Sequence, residues 1–174
     1  VEEGTWAAGL RDGAWHTYFP TGELAETTQW LAGQRSGTFS AWYPDGQVSQ
    51  AGEFVADQRD GEWRAFYPDG QPESLGSYTA GLRQGTWEFW KPDGRPDAVA
   101  TYKDGLGDGP WTTWDYAAFG TLRFEGEQHG GTRHGIWLGF WDDSDAPFDR
   151  VDWLWGKREG QYEAWWSDGT ALAE

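Results

Sequence analysis

The sequence contains no cysteine, no methionine and no asparagine in its 174 residues. Without cysteine the chain can form no disulfide bond, no thiolate metal site and no cysteine nucleophile. Without asparagine it offers no acceptor for N-glycosylation. No apolar run approaches the roughly 18 residues of a membrane-spanning helix, so the sequence predicts no transmembrane segment.

Aliphatic side chains are also scarce. Leu, Ile, Val and Phe together make up 25 of the 174 residues, a share that is typical of disordered chains when the net charge is high. The 15 tryptophans and 7 tyrosines reverse this interpretation, because each supplies a large apolar surface. The sequence therefore predicts a globular chain with an aromatic core.

Basic residues are few, since 13 Lys and Arg stand against 29 Asp and Glu and the formal net charge is −16. Such a charge repels phosphate backbones and anionic lipid headgroups, so we expect no nucleic-acid partner. The chain begins at Val1, and we expect it to be a trimmed form. The compartment stays open, with an extracytoplasmic or cell-surface location favoured.

One glycine recurs through the whole chain at intervals of 24 to 26 residues. These anchor glycines define repeats 1 to 7, in the order Gly13, Gly37, Gly61, Gly85, Gly109, Gly135 and Gly160. Two residues after each anchor comes an aromatic residue: Trp15, Phe39, Trp63, Trp87, Trp111, Trp137 and Tyr162. The repeats fill residues 1–174, which we expect to form a single repeat domain.

Most repeats carry a turn signal, such as Pro44-Asp45-Gly46 in repeat 2. Proline presets φ and glycine accepts a positive φ, which favours a type I turn closed by a glycine bulge. The hydrophobic spacing is two rather than 3.6, so no helix is expected. The predicted fold is all-β: an elongated antiparallel meander of about seven β-hairpins in a single-layer sheet, with up to 14 strands.

Alternation along each first strand divides the side chains between two faces of the predicted sheet. In repeat 3, Trp63 and Ala65 share face one, whereas Arg64 and Phe66 share face two. We expect face one to be the core, because its small middle position leaves room for a ring from a neighbouring strand. Small residues on the second strands are expected to interlock with these rings: Thr28, Gly52, Gly76, Ala100 and Gly126.

The segment Gly-Glu-Trp-Arg-Ala-Phe-Tyr-Pro-Asp-Gly at 61–70, with its six counterparts, resembles the MORN-repeat variant of bacterial proteins over essentially residues 4–174. The resemblance implies an elongated β-meander that serves as an interaction scaffold. Some bacterial members are labelled antitoxins, and eukaryotic MORN proteins have been associated with lipid and protein binding. The Trp- and Tyr-rich choline- or glucan-binding cell-wall repeats are a second resemblance, which fits the Pro-Asp-Gly turn less well.

Two rows of side chains are candidate binding residues. The face-two aromatic row lies five residues after each anchor: Tyr18, Trp42, Phe66, Trp90, Trp114, Phe140 and Trp165. Such rings either form an interface or pack within the sheet. The arginine row lies two residues before the anchors, with Gly107 in place of arginine in repeat 5: Arg11, Arg35, Arg59, Arg83, Arg133 and Arg158. It predicts either a comb for an anionic partner or guanidiniums stacked on rings and paired with carboxylates.

No catalytic residue, metal ligand or cofactor is predicted. His16, His129 and His134 belong to no nucleophile or metal arrangement. Four aspartates lie close together in a predicted loop of repeat 6: Asp142, Asp143, Asp145 and Asp149. Such an acidic loop offers oxygen ligands for Ca²⁺, but it lacks the spacing of an EF-hand.

The functional hypothesis is a non-enzymatic scaffold that binds a protein partner through the face-two aromatic row, with an antitoxin-like role as one form of it. A cell-surface or cell-wall carbohydrate-binding module is one alternative. A structural protein that self-associates end to end through its terminal strands is the other.

Overall fold

The computed structural model describes residues 1–117, 120–141, 144, 146–166 and 170–172. Within these ranges the regular elements are all strands: β1 Glu2–Ala7, β2 Leu10–Tyr18, β3 Leu24–Leu31, β4 Gln34–Trp42, β5 Val48–Val55, β6 Gln58–Phe66, β7 Pro72–Thr79, β8 Leu82–Trp90, β9 Pro96–Lys103, β10 Leu106–Ala117, β11 Gly120–His129, β12 Thr132–Trp141, β13 Pro147–Leu154, β14 Lys157–Trp165 and β15 Ala171–Leu172. In this part of the chain no helix is long and apolar enough to cross a membrane.

The strands form one sheet in which spatial order follows chain order. Consecutive strands pair antiparallel, as the registers of β2 with β3 and of β10 with β11 illustrate. The all-β antiparallel meander is thus confirmed. The sheet has 15 strands where up to 14 were expected, because β1 lies ahead of the first anchor glycine and pairs with β2.

Backbone contacts divide the chain into two compact units. The first comprises residues 1–84 and 89–95, and the second comprises residues 85–88 and 96–174. Within each unit the repeats continue as a ladder of hairpins. A single repeat domain over residues 1–174 stays a prediction.

The Pro-Asp-Gly tips have the predicted turn geometry. In repeat 2 the N–H of Gly46, whose φ is +87°, donates to the carbonyl of Tyr43 at 2.9 Å. The Tyr43 N–H in turn donates to the carbonyl of Gln47 at 2.8 Å, and Asp45 accepts the Gln47 N–H at 3.0 Å. This is a type I turn closed by a glycine bulge, as predicted.

The turns that connect one repeat to the next are of a different kind. Their two central residues both have positive φ, as at Ala32 (+48°) and Gly33 (+86°), which matches the twist of the flanking strands. The first central position is occupied by Ala8, Ala32, Ala56, Ala80, Asp104, Gly130 and Trp155 in successive turns. Side chains at this position accept a left-handed backbone, which is least costly for small or short polar residues.

Six anchor glycines lie in a β-bulge, namely Gly13, Gly37, Gly61, Gly109, Gly135 and Gly160. The register of β6 with β5 shifts between Ala51 and Glu53, whereas its register with β7 stays regular from Gly61 to Ala65. Gly61 has a φ of +67°, a conformation that glycine adopts without steric cost. The recurring glycine of the sequence is therefore set by a backbone requirement.

Face one contains the core. Trp63 is 2 % exposed, and its ring stacks on Phe39 at a centroid distance of 5.3 Å. The rings of Phe54 and Tyr78 meet it edge-on at 5.1 and 6.1 Å. Its indole N–H donates to the carbonyl of Glu53 at 3.1 Å. The N–H of a buried tryptophan is thus satisfied by the backbone of the preceding strand.

Glycines on neighbouring strands leave the space that these tryptophan rings occupy. A Cβ placed on Gly52 would lie closer than 3.0 Å to the Trp63 ring, and the same holds for Gly4 beneath Trp15 and Gly126 beneath Trp137. In repeat 2 the ring is the smaller Phe39, and it faces Thr28 in the register. The predicted interlock of large rings and small residues is confirmed at Thr28, Gly52 and Gly126, and Gly4 in β1 is a further instance.

The predicted core residues Trp15, Phe39, Trp63, Trp87 and Trp137 are buried, and two other predicted core rings differ. Trp111 is half-buried; it faces Ala100, and a Cβ on Gly107 would lie 3.0 Å from its ring. Tyr162 is 63 % exposed, because the strand beyond it, β15, has two residues and covers little of β14.

Candidate binding surfaces

The face-two aromatic row lies near the hairpin tips. Six of its seven rings are half-buried, namely Tyr18, Trp42, Phe66, Trp90, Trp114 and Trp165. The seventh, Phe140, is 7 % exposed, and the guanidinium of Arg123 lies 4.8 Å from its ring. The row is therefore partly accessible along its length and covered at Phe140.

Phe66 and Trp90 line an open cavity of about 210 Å³ in the first compact unit. Pro72 and Leu75 contribute further apolar wall, and Ser74 also borders the cavity. Arg64, at its rim, is engaged by Glu62 through an ion pair of 2.5 Å. The cavity has the size of one or two apolar side chains.

Tyrosine hydroxyls fix the backbone of this row. The hydroxyl of Tyr43 donates to the carbonyl of Phe66 at 2.8 Å, and that of Tyr67 donates to the carbonyl of Trp90 at 2.8 Å. Burial raises the pKa of Tyr43, and the nearby carboxylates Glu73, Asp45 and Asp69 add to the effect. The hydroxyl is therefore a permanent donor at neutral pH, and consecutive hairpin tips are tied together.

The arginine row stacks on face-one rings. The guanidinium of Arg59 lies 4.3 Å from the Trp63 ring and 5.4 Å from the Tyr78 ring, and it donates to Gln50 Oε1 at 3.2 Å. Stacking recurs for Arg11 on Trp15 (4.1 Å), Arg35 on Phe54 (4.1 Å), Arg83 on Phe89 (5.3 Å), Arg133 on Trp137 (4.3 Å) and Arg158 on Trp153 (5.4 Å). The row caps the core edge by cation–π contact. Its use as a comb for an anionic partner stays a prediction.

The arginine row is interrupted in repeat 5, and a neighbouring position of the sheet also differs from the repeat pattern. Gly107 stands where the other repeats have arginine, and Gln128 stands where most have an aromatic residue. A Cβ on Gly107 would lie closer than 3.0 Å to Gln128 Oε1. The amide of Gln128 therefore fills the space in which an arginine would begin.

Arg35 also forms an ion pair with Asp57, and this pair makes stability depend on pH. The backbone N–H and the Nε of Arg35 both donate to Asp57 Oδ1 at 3.1 Å. These bonds, the backbone one first, hold the pKa of Asp57 below its usual range. The pKa of Asp57 is thus lower in the folded protein than in the unfolded chain, where an aspartate has a pKa of about 3.9. The charged carboxylate therefore stabilises the fold at pH values above the unfolded pKa, and this stabilisation is lost as the pH falls through the folded pKa.

We expect Asp57→Asn to reduce the loss of stability on acidification. Urea midpoints measured from pH 7 to pH 3 should fall less steeply for the variant than for the wild type. Glu159→Gln, which removes an exposed carboxylate elsewhere, is the control and should follow the wild-type curve. An Asp57→Asn curve parallel to the wild type would contradict the assigned role of the pair.

A further cluster, which the sequence did not single out as a site, lies in the second compact unit. The rings of His129 and His134 are 6.1 Å apart, and both approach Trp155, at 5.3 and 5.1 Å. His129 Nδ1 lies 3.2 Å from Asp108 Oδ1. The available signal was a coincidence of departures: the positions of His134 and Trp155, which are small or acidic in most repeats, both carry rings here.

Asp149 is the one carboxylate of the predicted acidic loop that the structure describes. Burial raises its pKa, against the opposing effects of the Gly139 backbone N–H and of Arg158 and Arg133. Asp142, Asp143 and Asp145 lie outside the described residues. Among the described residues, no group of three or more His, Asp or Glu side chains has an arrangement that could hold a metal ion.

Comparison with known proteins supports the repeat assignment. Residues 59–80 match the family model described as the MORN repeat variant. The matched segment runs from the second residue of β6 through the Pro-Asp-Gly turn to the first residue after β7, which is the core of repeat 3. No curated protein matched the chain.

Proposed function

We propose that this repeat scaffold is non-enzymatic and binds a protein partner through the face-two aromatic row. One observation carries the proposal: Phe66, Pro72, Leu75 and Trp90 surround an open, largely apolar cavity on a face that no other layer of the described chain covers. Interfaces are commonly anchored by an apolar side chain that fills such a pocket between aromatic rings. The match to the MORN repeat variant supports a scaffold of this kind.

The cavity walls favour binding over catalysis. Phe66, Pro72, Leu75 and Trp90 carry no group that could transfer a proton or act as a nucleophile, and among the residues that the structure describes no histidine or carboxylate lines the cavity to activate the hydroxyl of Ser74. The one charged wall residue, Arg64, is held by Glu62. A net charge of −16 favours a basic protein, because complementary charge speeds encounter and excludes acidic partners.

Affinity capture with the native organism's lysate tests the proposal, followed by titration of the purified partner. Phe66→Ala and Trp90→Ala should each weaken binding about 10-fold or more, as expected for aromatic anchors. Leu75→Glu places a carboxylate in the cavity without removing a ring, and it should abolish binding. Trp166→Ala, which removes a ring that is 60 % exposed outside the row, is the matched control.

Circular dichroism and thermal melts establish that each variant is folded before binding is compared. Undiminished binding by folded Phe66→Ala, Trp90→Ala and Leu75→Glu would contradict the proposal. Recovery of polysaccharide alone would favour the carbohydrate-binding alternative. Recovery of the chain itself would favour self-association, for which the edge strand β1, exposed at all six residues, is the natural surface.

A further inference from the structure

We propose that the pocket formed by Asp108, Glu127, His129, His134 and Trp155 binds an alkylammonium cation, such as the side chain of a lysine, over the indole of Trp155. This pocket lies within the second compact unit, and its residues are distinct from those of the face-two cavity. The inference therefore does not rest on the proposed function.

The equivalent positions in other repeats can be compared with this pocket. At the position of His134, repeats 1, 3 and 5 have aspartate (Asp12, Asp60 and Asp108). Asp12 and Asp60 accept the backbone N–H of Ala32 and Ala80 in the next turn, at 3.3 and 3.2 Å. At the equivalent place, the structure has the ring of His134 packed 5.1 Å from Trp155. A backbone contact that repeats 1 and 3 make is thus replaced by an aromatic one.

Trp155 occupies a backbone conformation that does not suit it. Its φ is +50°, and the equivalent turn positions elsewhere hold alanine, aspartate or glycine. A bulky residue in the left-handed region is a steric outlier, and such outliers cluster at functional sites. The ring is also 58 % exposed, so burial does not offset the strain. A ligand that covers the ring would account for both features.

The geometry of the pocket suits a small ligand with one apolar and one charged end. Its volume is about 300 Å³, and it is open to solvent. Trp155 contributes an aromatic face, while His129 and His134 place two further rings within 6.1 Å of each other. The methylene chain of an alkylammonium would lie along these rings.

The charges in the pocket select a cation. Asp108 and Glu127 are the charged lining residues, and no lysine or arginine lines the pocket. Arg133, a neighbour in the chain, stacks on the Trp137 ring at 4.3 Å. An indole face attracts cations through its quadrupole, and nearby carboxylates add to that attraction.

His134 presents one incomplete hydrogen bond. Its Nδ1 is buried and has no hydrogen-bond partner among the described residues. Buried polar atoms are satisfied in the great majority of cases, so this ring nitrogen marks His134 as a further departure from ordinary packing beside the pocket. The pocket thus offers the rings of Trp155 and the two histidines for the methylenes, and the carboxylates of Asp108 and Glu127 for the charge.

Histidine NMR tests the inference, because the chain has three histidines and His16 lies in the first compact unit. The full chain is titrated at pH 7.5 with n-butylammonium, and the Hε1 resonances are followed. We expect saturable shifts at His129 and His134, with His16 unmoved. Neutral n-butanol and anionic butyrate match the ligand in shape, and each should bind at least about fivefold more weakly, since an exposed cation–π contact is worth about 1 kcal/mol.

Two variants distinguish the pocket from nonspecific binding. Trp155→Ala restores the alanine found in four other turns, so the fold should be kept while affinity for butylammonium falls about fivefold or more. Asp108→Asn keeps a partner for His129 but removes the charge, and it should weaken binding similarly. Equal binding of butanol, tighter binding of butyrate, or unchanged binding by folded Trp155→Ala would each overturn the proposal.

Discussion

Replacing Trp63 with alanine is expected to lower the free energy of unfolding by about 3–5 kcal/mol, the cost of removing a large ring from a packed core. The indole is 2 % exposed and contacts Phe39, Phe54 and Tyr78. The guanidinium of Arg59 also lies over the Trp63 ring, 4.3 Å from its centroid. The substitution removes the centre of this group and leaves the Glu53 carbonyl without the indole N–H that it accepts at 3.1 Å.

Urea denaturation followed by far-ultraviolet circular dichroism measures this effect. Trp63→Phe should cost less than Trp63→Ala, because it keeps the stack on Phe39 while losing the hydrogen bond to Glu53. Trp166→Ala removes an exposed tryptophan and should change stability by less than about 0.5 kcal/mol. An unchanged midpoint for Trp63→Ala would contradict the assignment of face one as the core.

The repeat architecture could be predicted from the sequence because the same turn residues and the same alternation of side chains recur in successive repeats. The Pro44-Asp45-Gly46 turn specifies a hairpin tip by backbone preference alone, and the structure has that turn. Alternation then places Trp63 on one face and Phe66 on the other. Local signals of this type need no knowledge of the tertiary structure.

The direction in which each ring leans was not predictable from alternation. Gly61 lies in a bulge with a φ of +67°, and beyond it the Trp63 ring crosses to Gly52 of the preceding strand. Sequence spacing identified Gly61 as recurrent, but only the register shift against β5 shows what it does. Bulges alter pairing by single residues, which periodicity does not resolve.

The two rows of candidate binding residues could be predicted from the sequence, whereas the pocket at Trp155 could not. The two rows are visible in the sequence because they recur, and the structure shows their packing: Arg59 stacks on a core ring, and Phe66 borders a cavity. The pocket at Trp155 combines residue types that no other repeat has at the positions of His129, His134 and Trp155. It depends on His129, His134 and Trp155, which lie on separate segments and meet only when β11, β12 and the turn after β13 are aligned.

Substituting Gly52 with alanine is expected to destabilise the fold by about 1–3 kcal/mol or more, as overpacking of a filled core does. An added Cβ would lie closer than 3.0 Å to the Trp63 ring, and the ring is fixed on its other sides by Phe39 and Phe54. Gly61→Ala is the contrasting variant, because a Cβ there meets open space and the cost, about 1 kcal/mol, arises from its positive φ.

The double variant Gly52→Ala/Trp63→Phe distinguishes a steric clash from a backbone requirement. Repeat 2 already combines a smaller ring with a larger partner, since Phe39 faces Thr28. We therefore expect Gly52→Ala to cost less in the Trp63→Phe background than in the wild type, with a coupling energy of at least about 0.5 kcal/mol. Gly61→Ala should cost the same in both backgrounds, because the strain at Gly61 does not involve the ring. Equal costs of Gly52→Ala in the two backgrounds would show that glycine is needed at position 52 for its backbone, and that the ring does not select it.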